Sequence, residues 1–342
     1  MLSRVADSIY WMNRYLERAE NYARFLDVNL HLALDQPLAV SEQWLPLVET
    51  TGDRELFIEH YGTATTSNAL RFLISDETNP NSIFSCVRNA RENAASVREM
   101  LSGEMWLHIN KFYLTLTDAL RPGDELKDHS EFLQWVKENC ALHMGIMDST
   151  LSHSEAWHFG CLGRYLERAD KTSRLLDIKY FYLLAKPEDV GSTVDLLQWQ
   201  AVLRSASALE MFRRSEGSIT PAAVASFLIL HPDFPRTIRF CLNKAESSLR
   251  ELTPSGTGTF RNEVEKRMGA FRSQLDYTDI GDVFKFGMHE YLDMIQVKLN
   301  EIGDALQTVL LVPPQVPQPP VKETDIPELV EEEKQAPVIW TQ

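Results

Sequence analysis

Two short stretches of this sequence carry residue types that could do chemistry, and they carry them at the same spacing. Arg14, Glu17, Arg18 and Arg24 recur as Arg164, Glu167, Arg168 and Arg174 inside the repeated string RYLERA(E/D)xxxRxLD. Arginine presents a planar fork that grips carboxylate or phosphate through two parallel hydrogen bonds, and glutamate can hold such a fork or move a proton. Two uses of the set are open. In the first, Glu17 and Glu167 exchange partners with Arg168 and Arg18, Glu20–Arg24 and Asp170–Arg174 add i,i+4 pairs, and Glu17 also reaches Arg14. The result is an ionic network that fixes the register between two halves. In the second, the arginines line a cleft that grips a small anion or a peptide. The glutamates have no second catalytic partner in the sequence, so acid–base work is only a subset of the second use.

The elements that must position these residues follow from the same repetition. An offset of 150 sets Tyr15-Leu16-Glu17-Arg18-Ala19 beside Tyr165-Leu166-Glu167-Arg168-Ala169, and Leu26-Asp27 beside Leu176-Asp177. After a gain of five residues the match resumes at an offset of 155. Gln43-Trp44 then meets Gln198-Trp199, Phe72-Leu73-Ile74 meets Phe227-Leu228-Ile229, and Pro80, Ile83 and Cys86 meet Pro235, Ile238 and Cys241. This register reads as two tandem copies of one helical unit, residues 1–152 and 153–311, packed as one globular body.

Ile9, Met12, Leu16, Ala19, Ala23, Leu26 and Leu30 recur in steps of three and four and predict a helix over 3–33; Phe159 to Tyr180 repeat the stripe within a helix over 153–186. Shorter helices are expected near 41–50, 53–60 and 64–74, from Pro80 or Ser82 to about 101, and over 104–119 and 129–150. The second copy predicts 193–204, 206–214, 220–230, 235–252, 258–275 and 279–311, with breaks at Arg121-Pro-Gly-Asp124 and Thr253-Pro-Ser-Gly256. No segment alternates as a strand does, so the fold class is all-α, a helical bundle. On a helical wheel Arg14, Glu17, Asn21 and Arg24 share one stripe, and Trp11, Arg18, Tyr22 and Phe25 occupy the far side. So little polar face remains that the motif charges are expected to be partly buried, and therefore paired.

A formal net charge of −15 disfavours a nucleic-acid binder and docking on an anionic membrane, both of which need clustered Lys and Arg. Cys86, Cys140, Cys161 and Cys241 form no CxxC pair and read as reduced core thiols. With no apolar run of spanning length and no signal-peptide pattern, a soluble cytoplasmic protein is expected. Only Glu155-x-x-His158 resembles half of a di-metal carboxylate motif, its counterpart being Val5 to Ser8; His143 and His153 read as core or surface histidines. No metal and no cofactor are expected, and no nucleotide-loop or hydrolase motif is present. Residues 312–342 hold a run of prolines and acids that predicts a disordered tail, ending in the apolar Val338-Ile339-Trp340, either a short docking motif or a random end.

The opening SRVADSIYWMNRYLERAENYARFLD, its second copy LGRYLERADKTSRLLD and the segment Asn79-Pro80-x-Ser82-Ile83-x-x-Cys86 resemble the alpha-E family, bacterial all-helical proteins of uncharacterised activity. The resemblance covers residues 1–311, and the two copies depart from each other at Asn13 against Gly163 and at Asn21 against Lys171. It implies a genomic partnership with circularly permuted ATP-grasp ligases and transglutaminase-like peptidases. The expected role is a helical partner or substrate-binding subunit of a peptide or amide-bond ligase system, with an enzyme in its own right as the alternative.

Overall fold

The computed structural model describes residues 1–35, 40–121, 126, 128–181, 192–253, 255–256 and 258–311. Fifteen α-helices and no strand lie among them. The helices are α1 (Ser3–Asp35), α2 (Val40–Thr51), α3 (Arg54–Tyr61), α4 (Thr66–Ile74), α5 (Ile83–Ser96), α6 (Gly103–Ala119) and α7 (His129–Thr150), followed by α8 (Glu155–Phe181), α9 (Thr193–Ser205), α10 (Leu209–Ser215), α11 (Pro221–Leu230), α12 (Ile238–Leu252), α13 (Glu263–Asp276), α14 (Ile280–Phe286) and α15 (Met288–Leu306).

Polar residues punctuate the chain where the backbone needs them. Side chains of Thr65, Ser82, Ser102, Asp128, Ser192, Thr220, Thr237, Asn262 and Asp279 each accept an otherwise unpaired amide at a helix start. Two expected boundaries are corrected. Pro80 lies in the turn before α5, which Ser82 caps; the helix ends at Ser96 and a short 3-10 turn follows. The single helix expected over 279–311 is broken at Gly287, whose φ of +104° suits glycine, and closes in a π-turn after Leu306. The Pro122-containing turn, residues 182–191, Pro254 and the tail over 312–342 lie outside the described residues.

The molecule is organised around α1 and α8, which pack along their length. Their contacts ascend together, from Tyr10 with Gly163 through Arg14 with Glu167 to Tyr22 with Lys171, so the two helices run parallel. At the crossing a Cβ on Gly163 would stand 2.2 Å from the Tyr10 carbonyl oxygen, and one on Gly160 would stand 2.8 Å from the Asn13 side-chain nitrogen. Two glycines on α8 thus form a hollow that receives residues of α1. Around this pair, α5 and α7 pack on α1, and α12 and α15 pack on α8. Of the predicted stripes, Ile9, Met12, Leu16, Ala19, Ala23 and Leu26 are buried and Leu30 is partly buried, while Phe159, Leu162, Leu166, Ala169, Ser173 and Leu176 are buried and the Tyr180 side chain lies outside what is described. No helix of the described residues is long and apolar enough to cross a membrane. All four cysteines are buried free thiols; burial pushes Cys86 and Cys241 up to about 12 and Cys161 up to about 11.

Candidate functional site: the paired Glu-Arg helices

Because α1 and α8 run parallel and touch, each motif glutamate faces the arginine of the other helix. Glu167, 0% exposed, accepts from Arg18 Nε at 2.6 Å and Nη2 at 3.0 Å, and from Arg14 Nε at 2.8 Å. Lys171, one turn on, lies 3.5 Å away. Glu17, 3% exposed, receives a two-pronged grip from Arg168, at 2.8 and 2.6 Å, together with Asn21 at 2.9 Å and Arg236 at 3.2 Å. The two knots are thereby reciprocal: Glu17 with Arg168, Glu167 with Arg18.

A second ring of charges surrounds them. Arg236 also donates to Glu20 at 2.5 Å, and Arg24 grips the same Glu20 oxygen. On the other side Asp170 receives Lys171 at 2.9 Å and Arg174 at 3.0 Å. Arg18 uses its remaining nitrogen on Asn81 at 2.6 Å, and the Asn81 amide reaches Asp53 at 2.9 Å. Seven cations therefore surround Glu17, Glu20, Glu167 and Asp170, with Asp53 reached only through Asn81.

Charge neighbours outweigh burial at the two central carboxylates. Burial pushes Glu17 upward, but Arg168 and Arg236 hold it down at about 2. Glu167 is likewise held well below the carboxylate range, burial being overcome by Arg18, Lys171 and Arg14. Both are ionised at neutral pH and surrounded by donors, so neither has a proton to give. The arrangement suits holding two helices in register; it does not suit proton transfer.

All eight residues singled out in the sequence are thus placed, and two behave unlike the expectation. Arg14 bonds Glu167 on the other helix and not Glu17 on its own, because the close crossing at Gly163 brings Glu167 within reach. Arg164, its equivalent at an offset of 150, reaches neither motif glutamate. It lies over the Tyr165 ring, donating to the Tyr165 hydroxyl at 3.2 Å and to Cys161 Sγ at 3.6 Å. Arg24 and Arg174 sit at the ends of the knots. Sequence reasoning missed Arg236 and Asn81, which stand 155 residues apart, the offset at which the sequence match resumes. Lys171 and Asn21, which differ at an offset of 150 in sequence, are their complements inside the knots.

Three further features lie toward the far ends of α1 and α8. A cleft of about 310 Å³ is lined by Arg24, Asp27, His31, Lys137, Arg204 and Ser207 among others. A smaller, mainly apolar cavity of about 70 Å³ borders Lys179, whose buried ammonium bonds Asp195 at 2.8 Å and Gln198 at 2.7 Å. Burial lowers the affinity of Lys179 for its proton. Asp177, His289 and Asp293 bring their donor atoms within 4.8 Å of one another, the His289 Nδ1 to Asp177 distance being 2.7 Å.

The chain is 22% identical over 339 residues to an uncharacterised protein of Mycobacterium bovis and to uncharacterised proteins from two strains of Mycobacterium tuberculosis, covering 92% of this chain. It spans 38% of the length of each of those relatives. No solved structure matches it. A family model described as "a predicted alpha-helical domain with a conserved ER motif" matches residues 1–309. Glu-Arg occurs twice in this sequence, at Glu17-Arg18 and Glu167-Arg168, the dipeptides whose members are exchanged between the knots. The chain belongs to the Alpha-E family.

Proposed function

We propose that this protein is a non-catalytic helical subunit, built from two tandem units (1–152 and 153–311), that serves a peptide or amide-bond ligase system. Its partner would be a circularly permuted ATP-grasp ligase, with a transglutaminase-like peptidase in the same cytoplasmic system, as the family resemblance implies. The observation that carries the reading is the saturation of both motif glutamates: Glu17 and Glu167 are buried, ionised and held by arginines of the opposite helix. A motif spent on internal pairing supports a body that presents surface to a partner. It does not support one that turns over substrate on that motif. The relatives add support of another kind, since the matching stretch there is 38% of a longer chain and so is joined covalently to further sequence.

The test is co-expression with a circularly permuted ATP-grasp ligase from the same genome, followed by size-exclusion chromatography at micromolar concentrations. Co-elution as one complex, with the ligase's amide-forming turnover raised by the added chain, is the expected result. Separate elution together with unchanged turnover overturns the proposal. The alternative, a small-anion binder or enzyme on these helices, is favoured by one feature: the cations outnumber the carboxylates in and around the knots.

A further inference from the structure

We infer that the cleft between α1, α7 and α9 is a binding site for a small anion bearing a carboxylate or phosphate group. It stands apart from the subunit proposal, because the ligase complex forms or fails whether or not this cleft takes a ligand. Four observations converge on it.

The first is charge. Arg24, Lys137 and Arg204 line the cleft as permanent cations, and Asp27 is the carboxylate in that lining. Asp27 pairs with Lys137 at 2.7 Å and accepts from the Ser130 hydroxyl at 2.6 Å, so those two charges cancel and Arg24 and Arg204 carry the positive charge of the cleft. In a chain of net charge −15, such a concentration of cations draws an anion inward.

The second is a surplus built in behind the wall. Arg24 is fixed by Glu20, but the same Glu20 oxygen also receives the buried Arg236. One carboxylate is shared by two guanidinium groups, so the Arg24 charge is only partly compensated. Arg204, exposed at the end of α9, pairs with no carboxylate among the described residues. Arginine forks held at fixed positions suit carboxylate and phosphate.

The third is backbone strain. Ser207 is the non-glycine residue with positive φ (51°) among the described residues. That conformation turns its hydroxyl onto Arg24 Nη1, which donates to it. Left-handed backbone at a residue other than glycine is costly; here it closes α9, the Ala208 amide reaching back to the Leu203 carbonyl at 2.7 Å, and sets the serine against Arg24.

The fourth is shape. The cleft holds about 310 Å³, and Val28, Leu32, Leu197 and Ala201 complete its wall. An anionic head at the arginines with a short aliphatic body along these side chains fits that lining.

Isothermal titration of the whole chain at low ionic strength tests the site, with inorganic phosphate in one arm and glutarate in the other. Saturable one-site binding is expected, and whichever probe binds tighter assigns the class. Arg204→Gln should weaken it by about tenfold or more, the loss expected for a hydrogen bond to a charged group. Lys266→Gln, an exposed cation on α13, which adds no residue to the cleft lining, should leave it unchanged. Ser207→Gly should raise the melting temperature by relieving strain while weakening binding, a combination that a purely structural serine would not give. No saturable heat in either arm, or equal affinity in Arg204→Gln and the unaltered protein, overturns the inference.

Discussion

The knot around Glu17 and the knot around Glu167 solve one electrostatic problem in two ways. Each buries a carboxylate against the motif arginine of the other helix and then needs one further cation and one amide nearby. Around Glu17 the cation is Arg236, from the start of the α12 region, and the amide is Asn21 on α1 itself. Around Glu167 the cation is Lys171 on α8 itself, and the amide is Asn81, from the turn before α5, held by Arg18. The helix position and the turn position have exchanged roles, so each knot keeps one motif arginine, one further cation and one amide. The asymmetry lies with Arg14, which adds a third cation to Glu167, while Arg164 adds none to Glu17. Buried charge constrains the sum of a cluster more tightly than the position that supplies each member.

Acid attacks both knots at once and should have the largest effect. Glu17 and Glu167 are depressed below the ordinary value of 4.5. The stability they contribute is therefore complete above pH 4.5 and is lost as pH falls toward about 2. Urea midpoints measured across pH 2 to 7 should drop through that window, and a flat profile would refute the ionised knots.

Removing single arginines should separate the two. Arg168→Ala leaves Glu17 buried with Arg236 as its remaining cation and should cost about 3–5 kcal/mol. Arg18→Ala leaves Glu167 with Arg14 and Lys171, and should cost clearly less in the same denaturation experiment. Equal losses would mean that Arg14 does not share the load. Next in size is Gly163→Ala, where the added methyl meets the Tyr10 carbonyl; overpacking of about 1–3 kcal/mol should exceed the gain of about 1 kcal/mol from replacing a helical glycine. A stabilised variant would show that α1 and α8 can separate freely. The exchange itself is testable. Arg236→Asn alone should destabilise, and adding Asn21→Lys, which copies the Glu167 arrangement, should restore most of the loss.

The smallest effect concerns the far ends of the motif helices. Asp27 bonds Lys137, while Asp177, its equivalent at an offset of 150, bonds His289 and lies beside Asp293. Asp27 sits below its ordinary range because Lys137 and Ser130 outweigh its burial; Asp177 is pushed up by burial and by Asp293, against the bond from His289. His289 is raised by that hydrogen bond, which outweighs its burial. Its contribution to stability is present below pH 6.5 and fades as pH rises through the higher folded value. NMR titration should place the His289 midpoint above 6.5, and Asp177→Asn should lower it. An unshifted midpoint would make the two corners equivalent.

Much of the fold is legible in the amino-acid sequence. The three-four apolar spacing of α1 and α8, the cap at Ser82 and the proline and glycine punctuation are local signals, set by helix geometry and by amides that need acceptors. The helical wheel also shows why the motif charges are buried, since a helix with so little polar face has nowhere to expose them. Less legible is the break within 279–311, where apolar periodicity runs on through Gly287 and only its left-handed backbone marks the interruption.

The sequence by itself determined that Glu17, Arg18, Glu167 and Arg168 would be at least partly buried and paired, because uncompensated charge is not tolerated on an apolar helix. Their exchange, Glu17 with Arg168 and Glu167 with Arg18, was one of two uses open in the sequence; tertiary structure decided between them and alone placed Arg14 and Arg164. The glycine hollow at Gly160 and Gly163 sets how closely α1 approaches α8, and that distance sends Arg14 to Glu167 and leaves Arg164 on Tyr165. Arg236 and Asn81 enter from turns more than sixty residues from the motif each serves, and Arg204 and Lys137 line one cleft with Arg24 from separate helices. No local spacing encodes such meetings, since they depend on how whole helices pack.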